Sequence, residues 1–268
     1  MKRKITHGFT LVEIAIVLVV IGLLIGGVLR GNELLNSARA NSVISQQKSM
    51  QTAFYGFVDR FKIVPGDMNG TQALLINNFA APAVSAGDGN VMLEDSAAFF
   101  NNLAQAGFIT CSACSSAAIV TPGATGVAAT YIPPAGGLNS LNSPVNVFGQ
   151  PVVFYFNNGA TAGSTALAGS STAGSISFLG ASNEGGKPLL LTGGALSSSM
   201  LAEIDRKTDD GDPSGGQFRY TDIVAITAVT GASIFVDSTA SNKCFSGTAP
   251  TFTWTLSPPG ICQGASML

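Results

Sequence analysis

The chain has 268 residues, only 10% of them charged, and its formal net charge is −2 at pH 7. Soluble domains usually carry about 25% charged residues, so this composition, with its 32 glycines, favours an exported, turn-rich domain over a cytosolic enzyme. The only histidine is His7, so the remainder of the chain has no histidine to serve as a catalytic base or as a metal ligand.

The first element is an apolar run that follows three basic residues, Lys-Arg-Lys at positions 2–4. At about 1.5 Å per residue, the roughly 20 residues from Phe9 to Leu29 match a hydrocarbon core about 30 Å thick. The basic cluster predicts that the N-terminus stays in the cytoplasm. One acid, Glu13, lies inside the run, where an unpaired charge costs at least a few kcal/mol, and we therefore expect it to have a partner.

The order Gly8, Phe9-Thr10-Leu11-Val12-Glu13 and then the apolar run resembles the signal of type IV prepilins and type II secretion pseudopilins. The resemblance implies cleavage between Gly8 and Phe9, N-methylation of Phe9, and pairing of Glu13 with the N-terminal amine of a neighbouring subunit. A carboxylate in lipid is tolerated beside an ammonium, which the new terminus would supply. Loss of residues 1–8 would change the formal charge from −2 to −5. The alternative is a plain membrane anchor with one stray acid.

The apolar run passes into a polar segment without proline, in which apolar residues recur every three or four positions up to Phe61. This pattern predicts one helix of about 50 residues, which Pro65-Gly66-Asp67 would end. We therefore divide the chain into a leader (1–8), a transmembrane or filament-core segment (9–29), an amphipathic continuation of the helix (30–61) and an exported domain (62–268).

Short elements alternate with loops in residues 62–268. A turn is expected at 87–90, helices at about 95–106 and 195–207, an irregular surface excursion at 115–143, and strands at 145–148, 152–156, 175–179, 223–230, 233–236 and 251–256. The strands at 223–230 and 233–236 are expected to form a hairpin. Leu189–Leu191 is apolar but too short to assign. This order of helices and strands along the chain predicts an α+β domain whose antiparallel sheet packs against the long helix, as the pilin resemblance also implies.

Four cysteines, Cys111, Cys114, Cys244 and Cys262, permit three pairings. Separation along the sequence favours Cys111 with Cys114 and Cys244 with Cys262, and an exported domain would meet an oxidising compartment. The alternatives are a redox site at Cys111 and Cys114, or a zinc site. The residues around Cys111 do not predict the start of a helix, where a redox-active cysteine pair would lie. A zinc site would need a second pair of closely spaced cysteines.

Asp205, Asp209, Asp210 and Asp212 form the densest acidic cluster. Four carboxylates within eight residues repel one another unless water or a cation screens them, and calcium is the hard cation expected outside the cell. Some major pseudopilins carry calcium in this region, although the spacing departs from the EF-hand pattern. The simpler interpretation is a solvated turn after a helix, with Arg206 and Lys207 offsetting the charge.

The function that these features favour is a structural subunit, a minor pilin or pseudopilin, that polymerises through its N-terminal helix. The implied partners are other such subunits, a prepilin peptidase, an inner-membrane assembly platform and the membrane itself. The implied location is the bacterial inner membrane and a pilus or pseudopilus, with the globular domain exported. We expect no enzymatic activity, no nucleic-acid binding and no cofactor other than calcium. The alternatives are an adhesin displayed on a filament and a membrane-tethered thiol oxidoreductase.

Overall fold

The computed structural model describes most of the chain. The described residues are 10–68, 72, 89, 91, 96–112, 114, 143–156, 165–166, 175–178, 187–223, 244–248, 251–256 and 261–268. The expected surface excursion at 115–143, almost all of the hairpin at 223–236 and the leader lie outside these residues, apart from Ser143 and Ile223. Within the described residues, the chain divides into two units, Met1–Arg39 and Ala40–Leu268.

Helix α1 runs from Leu11 to Phe61, 51 residues, which confirms the predicted long helix and its end. It stops because Lys62 adopts a left-handed conformation, with φ 58°, and donates its N–H to the carbonyl of Val58 at 2.8 Å. From residue 40 onward the helix is amphipathic. Its buried residues recur every three or four positions, as one packed face requires: Ala40, Val43, Gln47, Met50, Ala53, Phe54 and Phe57.

Helix α2 (Ser96–Gln105) lies where a helix was predicted at 95–106. It ends in a Schellman motif: Gly107 has φ 78° and donates to Ala104, and the N–H of Phe108 donates to the carbonyl of Leu103 at 2.9 Å. Helix α3 (Ser198–Thr208) begins three residues later than expected, because the hydroxyl of Ser197 accepts a hydrogen bond from the N–H of Met200 and caps it.

The strands are short and pair in antiparallel fashion. They are β1 (Val153–Tyr155), β2 (Thr165–Ala166), β3 (Ser175–Phe178), β4 (Leu189–Leu191), β5 (Leu196–Ser197), β6 (Phe218–Ile223), β7 (Phe245–Thr248), β8 (Thr251–Trp254), β9 (Ile261–Cys262) and β10 (Gly264–Met267). Six of them form one sheet in the order β1-β4-β10-β6-β3-β2, and β5-β9 and β7-β8 form two-stranded ribbons. The α+β class with an antiparallel sheet is therefore confirmed.

Among the described residues of the unit Ala40–Leu268, the apolar side chains form two clusters. The first joins α1, α2, β1 and β4, and in it the rings of Phe99 and Phe154 stack with centroids 3.7 Å apart. The second cluster lies around Trp254. It joins the segment of α1 that begins at Ala40 to α3, β6 and β8. The amphipathic part of α1 thus contributes to both clusters, so residues 40–61 belong to the folded unit.

Two local predictions are wrong. The expected strand at 145–148 is a turn: only Val145 forms a bridge, to Pro151, and the carbonyl of Asn146 accepts from Gly149, whose φ is 74°. The helix predicted at 195–207 lacks its expected first turn. Strand β5 lies there instead, because Leu196 and Ser197 pair with Cys262 and Ile261.

Candidate functional site

The acid inside the apolar run closes the first turn of α1. One oxygen of Glu13, Oε2, accepts hydrogen bonds from the backbone N–H of Thr10 at 2.8 Å and from its hydroxyl at 2.9 Å, and the hydroxyl of Thr10 accepts from the N–H of Glu13. This reciprocal arrangement is a capping box. The T-x-x-E spacing from Thr10 to Glu13 is the sequence signal for it, and our reading of the sequence missed it.

The helix beyond Glu13 presents apolar side chains in every direction. Every Leu, Ile and Val from Leu11 to Leu29 is exposed within its unit, the least of them Ile21 at 46%. The most apolar window of α1 has a mean hydropathy of 2.8, and among the described residues it is the one helix long and apolar enough to cross a membrane. An apolar surface of this size calls for lipid or other helices as its surroundings.

The start of this segment matches a known signal. Residues 3–29 match the model of the prokaryotic N-terminal methylation motif, the signal of type IV prepilins and pseudopilins. No curated protein and no solved structure matches the chain. The chain therefore carries the prepilin signal of a membrane-anchored, pilin-like structural subunit. Gly8 and Phe9, the predicted cleavage pair, fall within the matched segment but outside the residues whose structure is described.

The acidic cluster lies where α3 runs into the loop before β6. Asp205 is fully buried, and its Oδ2 accepts from the indole Nε1 of Trp254 at 2.7 Å while its Oδ1 accepts from the N–H of Gly211 at 3.3 Å. Burial, with a smaller contribution from the charges of Asp210 and Asp209, raises the pKa of Asp205 to about 7 against the effect of these two hydrogen bonds. Asp205 therefore holds a proton at a pH at which most carboxylates have lost theirs.

Three of the four predicted acidic residues come together. Asp205, Asp209 and Asp210 each offer an oxygen within 4.8 Å of the others, and no ion pair to these carboxylates occurs among the described residues. Asp212 is not part of this group, and its Oδ1 accepts from the N–H and the hydroxyl of Ser214. The oxygens of Asp209 and Asp210 also accept backbone N–H groups, which holds the loop in shape.

The cysteines pair as their separation along the sequence favours. Cys111 bonds to Cys114, with Cα atoms 5.3 Å apart, and Cys244 bonds to Cys262, with Cα atoms 5.9 Å apart. Cys114 is buried in the first apolar cluster, and Cys244 and Cys262 are buried in the second, beside Trp254. The Cys244–Cys262 bond is therefore closed to a substrate thiol, whereas Cys111 of the other bond is only partly buried.

Proposed function

We propose that this protein is a structural subunit, either a minor pilin or a pseudopilin. After removal of residues 1–8, it would polymerise through α1 into a type IV pilus or a type II secretion pseudopilus. The observation that carries the proposal is the continuity of the methylation signal with a 51-residue helix whose first part exposes only apolar side chains around one acid. A membrane peptidase would process the precursor, and an inner-membrane platform would assemble the subunits.

In this proposal Glu13 has two successive partners. Among the described residues, only Thr10 donates to its carboxylate, through uncharged groups. The cleaved terminus of a neighbouring subunit would add an ammonium, and a carboxylate in lipid gains most from a full opposite charge. The N-terminus would remain cytoplasmic, because residues 2–4 precede the apolar segment.

The first prediction is the processing itself. We expect protein extracted from membranes of cells with a prepilin peptidase to begin at N-methylated Phe9, as intact-mass measurement would show. Gly8→Leu should leave the leader attached, since a bulky side chain would stand at the cleaved bond. Gly22→Ala is the matched control, because a Cβ there meets nothing within 4 Å. A wild-type terminus at Met1, or beyond Leu29, would contradict the proposal.

We further propose that the carboxylates of Asp205, Asp209 and Asp210 hold a calcium ion. Their three oxygens supply part of the six to eight ligands that calcium takes, and water would supply the others. A cation also relieves the repulsion that otherwise favours a proton on Asp205. Calcium and a proton therefore compete for the same buried carboxylate.

The second prediction follows from this competition. The raised pKa means that neutral Asp205 stabilises the fold fully below about pH 4, and that this contribution is lost as the pH rises through about 7. At about pH 8, a few millimolar calcium should restore about 1 to 2 kcal/mol and raise the melting temperature of the purified chain by about 2 to 8 °C. The rise should be smaller at about pH 5.5.

Two variants, each with a single substitution in the wild-type chain, test this prediction. Asp210→Asn should abolish the calcium-dependent rise, because it removes a charge of the group while keeping the oxygen that accepts from Asp212. Asp212→Asn is the control: it removes a nearby charge, keeps the acceptor for Ser214 and should leave the rise intact. If wild-type protein shows no calcium-dependent shift at about pH 8, the cluster does not bind calcium.

A further inference from the structure

The two disulfides differ in their access to solvent. Cys114, Cys244 and Cys262 are buried, whereas Cys111 is only partly buried and precedes Ser112, which is exposed. A thiolate breaks a disulfide by attacking one of its two sulfurs, so the rate of exchange depends on access to that sulfur. Among the four cysteines, Cys111 is therefore the most accessible residue for a thiol from solution to attack.

A backbone group donates a hydrogen bond to the sulfur of Cys111. The donor is the N–H of Cys114, which lies 3.2 Å from the Sγ of Cys111. A hydrogen bond to the charged form of a group stabilises that form, so this N–H would stabilise a thiolate on Cys111. The sequence does not predict a helix start at Cys111, and this N–H supplies a donor of the kind that a helix start would supply. No charged residue occurs from 96 to 183, so the neighbouring sequence adds no carboxylate that would repel a thiolate.

Opening of the Cys111–Cys114 bond is also the less costly of the two reductions. The bond spans a sequence separation of 3, against 18 for Cys244–Cys262. On the chain-entropy model, the smaller loop makes reduction more favourable by about tenfold at equilibrium. The Nδ2 of Asn101 donates to the carbonyl of Cys114 at 2.8 Å, and the N–H of Cys114 also donates to the carbonyl of Cys111 at 3.2 Å. Neither of these bonds involves a sulfur, so both can hold the segment in place after the disulfide opens.

We propose that the Cys111–Cys114 disulfide is a thiol-exchange site, at which a thiolate from solution forms a mixed disulfide with Cys111. The thiolate attacks the Sγ of Cys111, the bond to Cys114 breaks, and its electron pair stays on the Sγ of Cys114. That sulfur then takes a proton from the solvent, because an apolar environment disfavours its charged form. The attacking thiol is the only co-reactant: its sulfur is oxidised to a disulfide as Cys114 is reduced to a thiol.

The mixed disulfide has a return path. The thiol of Cys114 can attack Cys111 again and expel the bound thiol, which restores the original bond. The site therefore takes up and releases a thiol reversibly. This inference does not depend on the proposed polymerisation, and purified protein is enough to test it.

The direct test treats the full, detergent-solubilised wild-type chain with reduced glutathione at about pH 8, where thiols are partly ionised. Iodoacetamide then blocks free thiols, and peptide mapping locates both groups. We expect glutathione on Cys111 and the alkyl group on Cys114, at a rate at least tenfold above that of any modification at Cys244 or Cys262. Glutathione on Cys114 instead, equal rates at the two disulfides, or no adduct on Cys111 would overturn the inference.

Two single variants compare the sulfurs separately. Cys114→Ala leaves Cys111 as a thiol, and Cys111→Ala leaves Cys114. With oxidised glutathione, the folded Cys114→Ala chain should gain one glutathione at least tenfold faster than the folded Cys111→Ala chain, as intact-mass measurement would show. In denaturant the two variants should react at similar rates, which attributes the difference to the fold. Equal rates in the folded chains would contradict the assignment of Cys111 as the attacked sulfur.

Discussion

Replacement of Glu13 by valine should abolish polymerisation and leave membrane insertion intact. Valine makes the apolar segment more hydrophobic, so the span should enter the membrane at least as well as wild type. The same change removes the carboxylate that would pair with the neighbouring subunit's amine, a charge pair that lipid does not screen. We expect at least a tenfold loss of sheared filament, or of crosslinked oligomer, with unchanged amounts of the chain in the membrane fraction.

The capping box adds a control to this experiment, because Glu13→Val removes a helix cap as well as a charge. Glu13→Gln keeps an oxygen that can accept from the N–H of Thr10, and glutamine serves in capping boxes, but the charge is gone. Thr10→Val keeps the charge and loses the hydroxyl. If the charge is what assembly needs, Glu13→Gln should fail and Thr10→Val should assemble. Normal assembly of Glu13→Gln would show that the cap, and not an ion pair, is the role of Glu13.

Loss of the Cys244–Cys262 disulfide should destabilise the unit Ala40–Leu268 more than loss of the Cys111–Cys114 disulfide. The bond closes a loop with a sequence separation of 18, for which the chain-entropy model gives about 3 kcal/mol. For a unit of this size, that corresponds to a fall in melting temperature of about 6 to 12 °C. Cys244→Ala with Cys262→Ala should show it by calorimetry.

The only tryptophan reports on the same loop. Trp254 lies between the two cysteines in sequence, is buried and donates to Asp205. Its fluorescence should shift to the red as the loop loosens, before the remainder of the domain unfolds. Cys111→Ala with Cys114→Ala is the control, because that bond spans a separation of only 3 and closes a smaller loop. An unchanged melting temperature in the Cys244 and Cys262 variant, or free thiols at both positions in wild-type protein, would contradict the prediction.

The sequence by itself determined the features that depend on neighbouring residues. The apolar run, the helical spacing up to Phe61 and the prepilin signal are local patterns, and α1 and the matched motif agree with them. Helix α2 was likewise predictable, because Gly107 supplies the left-handed residue that ends it. Each of these signals lies within one or two helical turns of the residues that it places.

Only the tertiary structure decided which distant residues meet. Strands of two to four residues, such as β5, β9 and β10, are too short for a periodic signal, and their existence depends on partners far along the chain. The same holds for Asp205, which looked like one member of a solvated acidic turn. Its burial and its hydrogen bond from Trp254, 49 residues away, depend on tertiary packing, and the burial raises its pKa against the effect of that hydrogen bond.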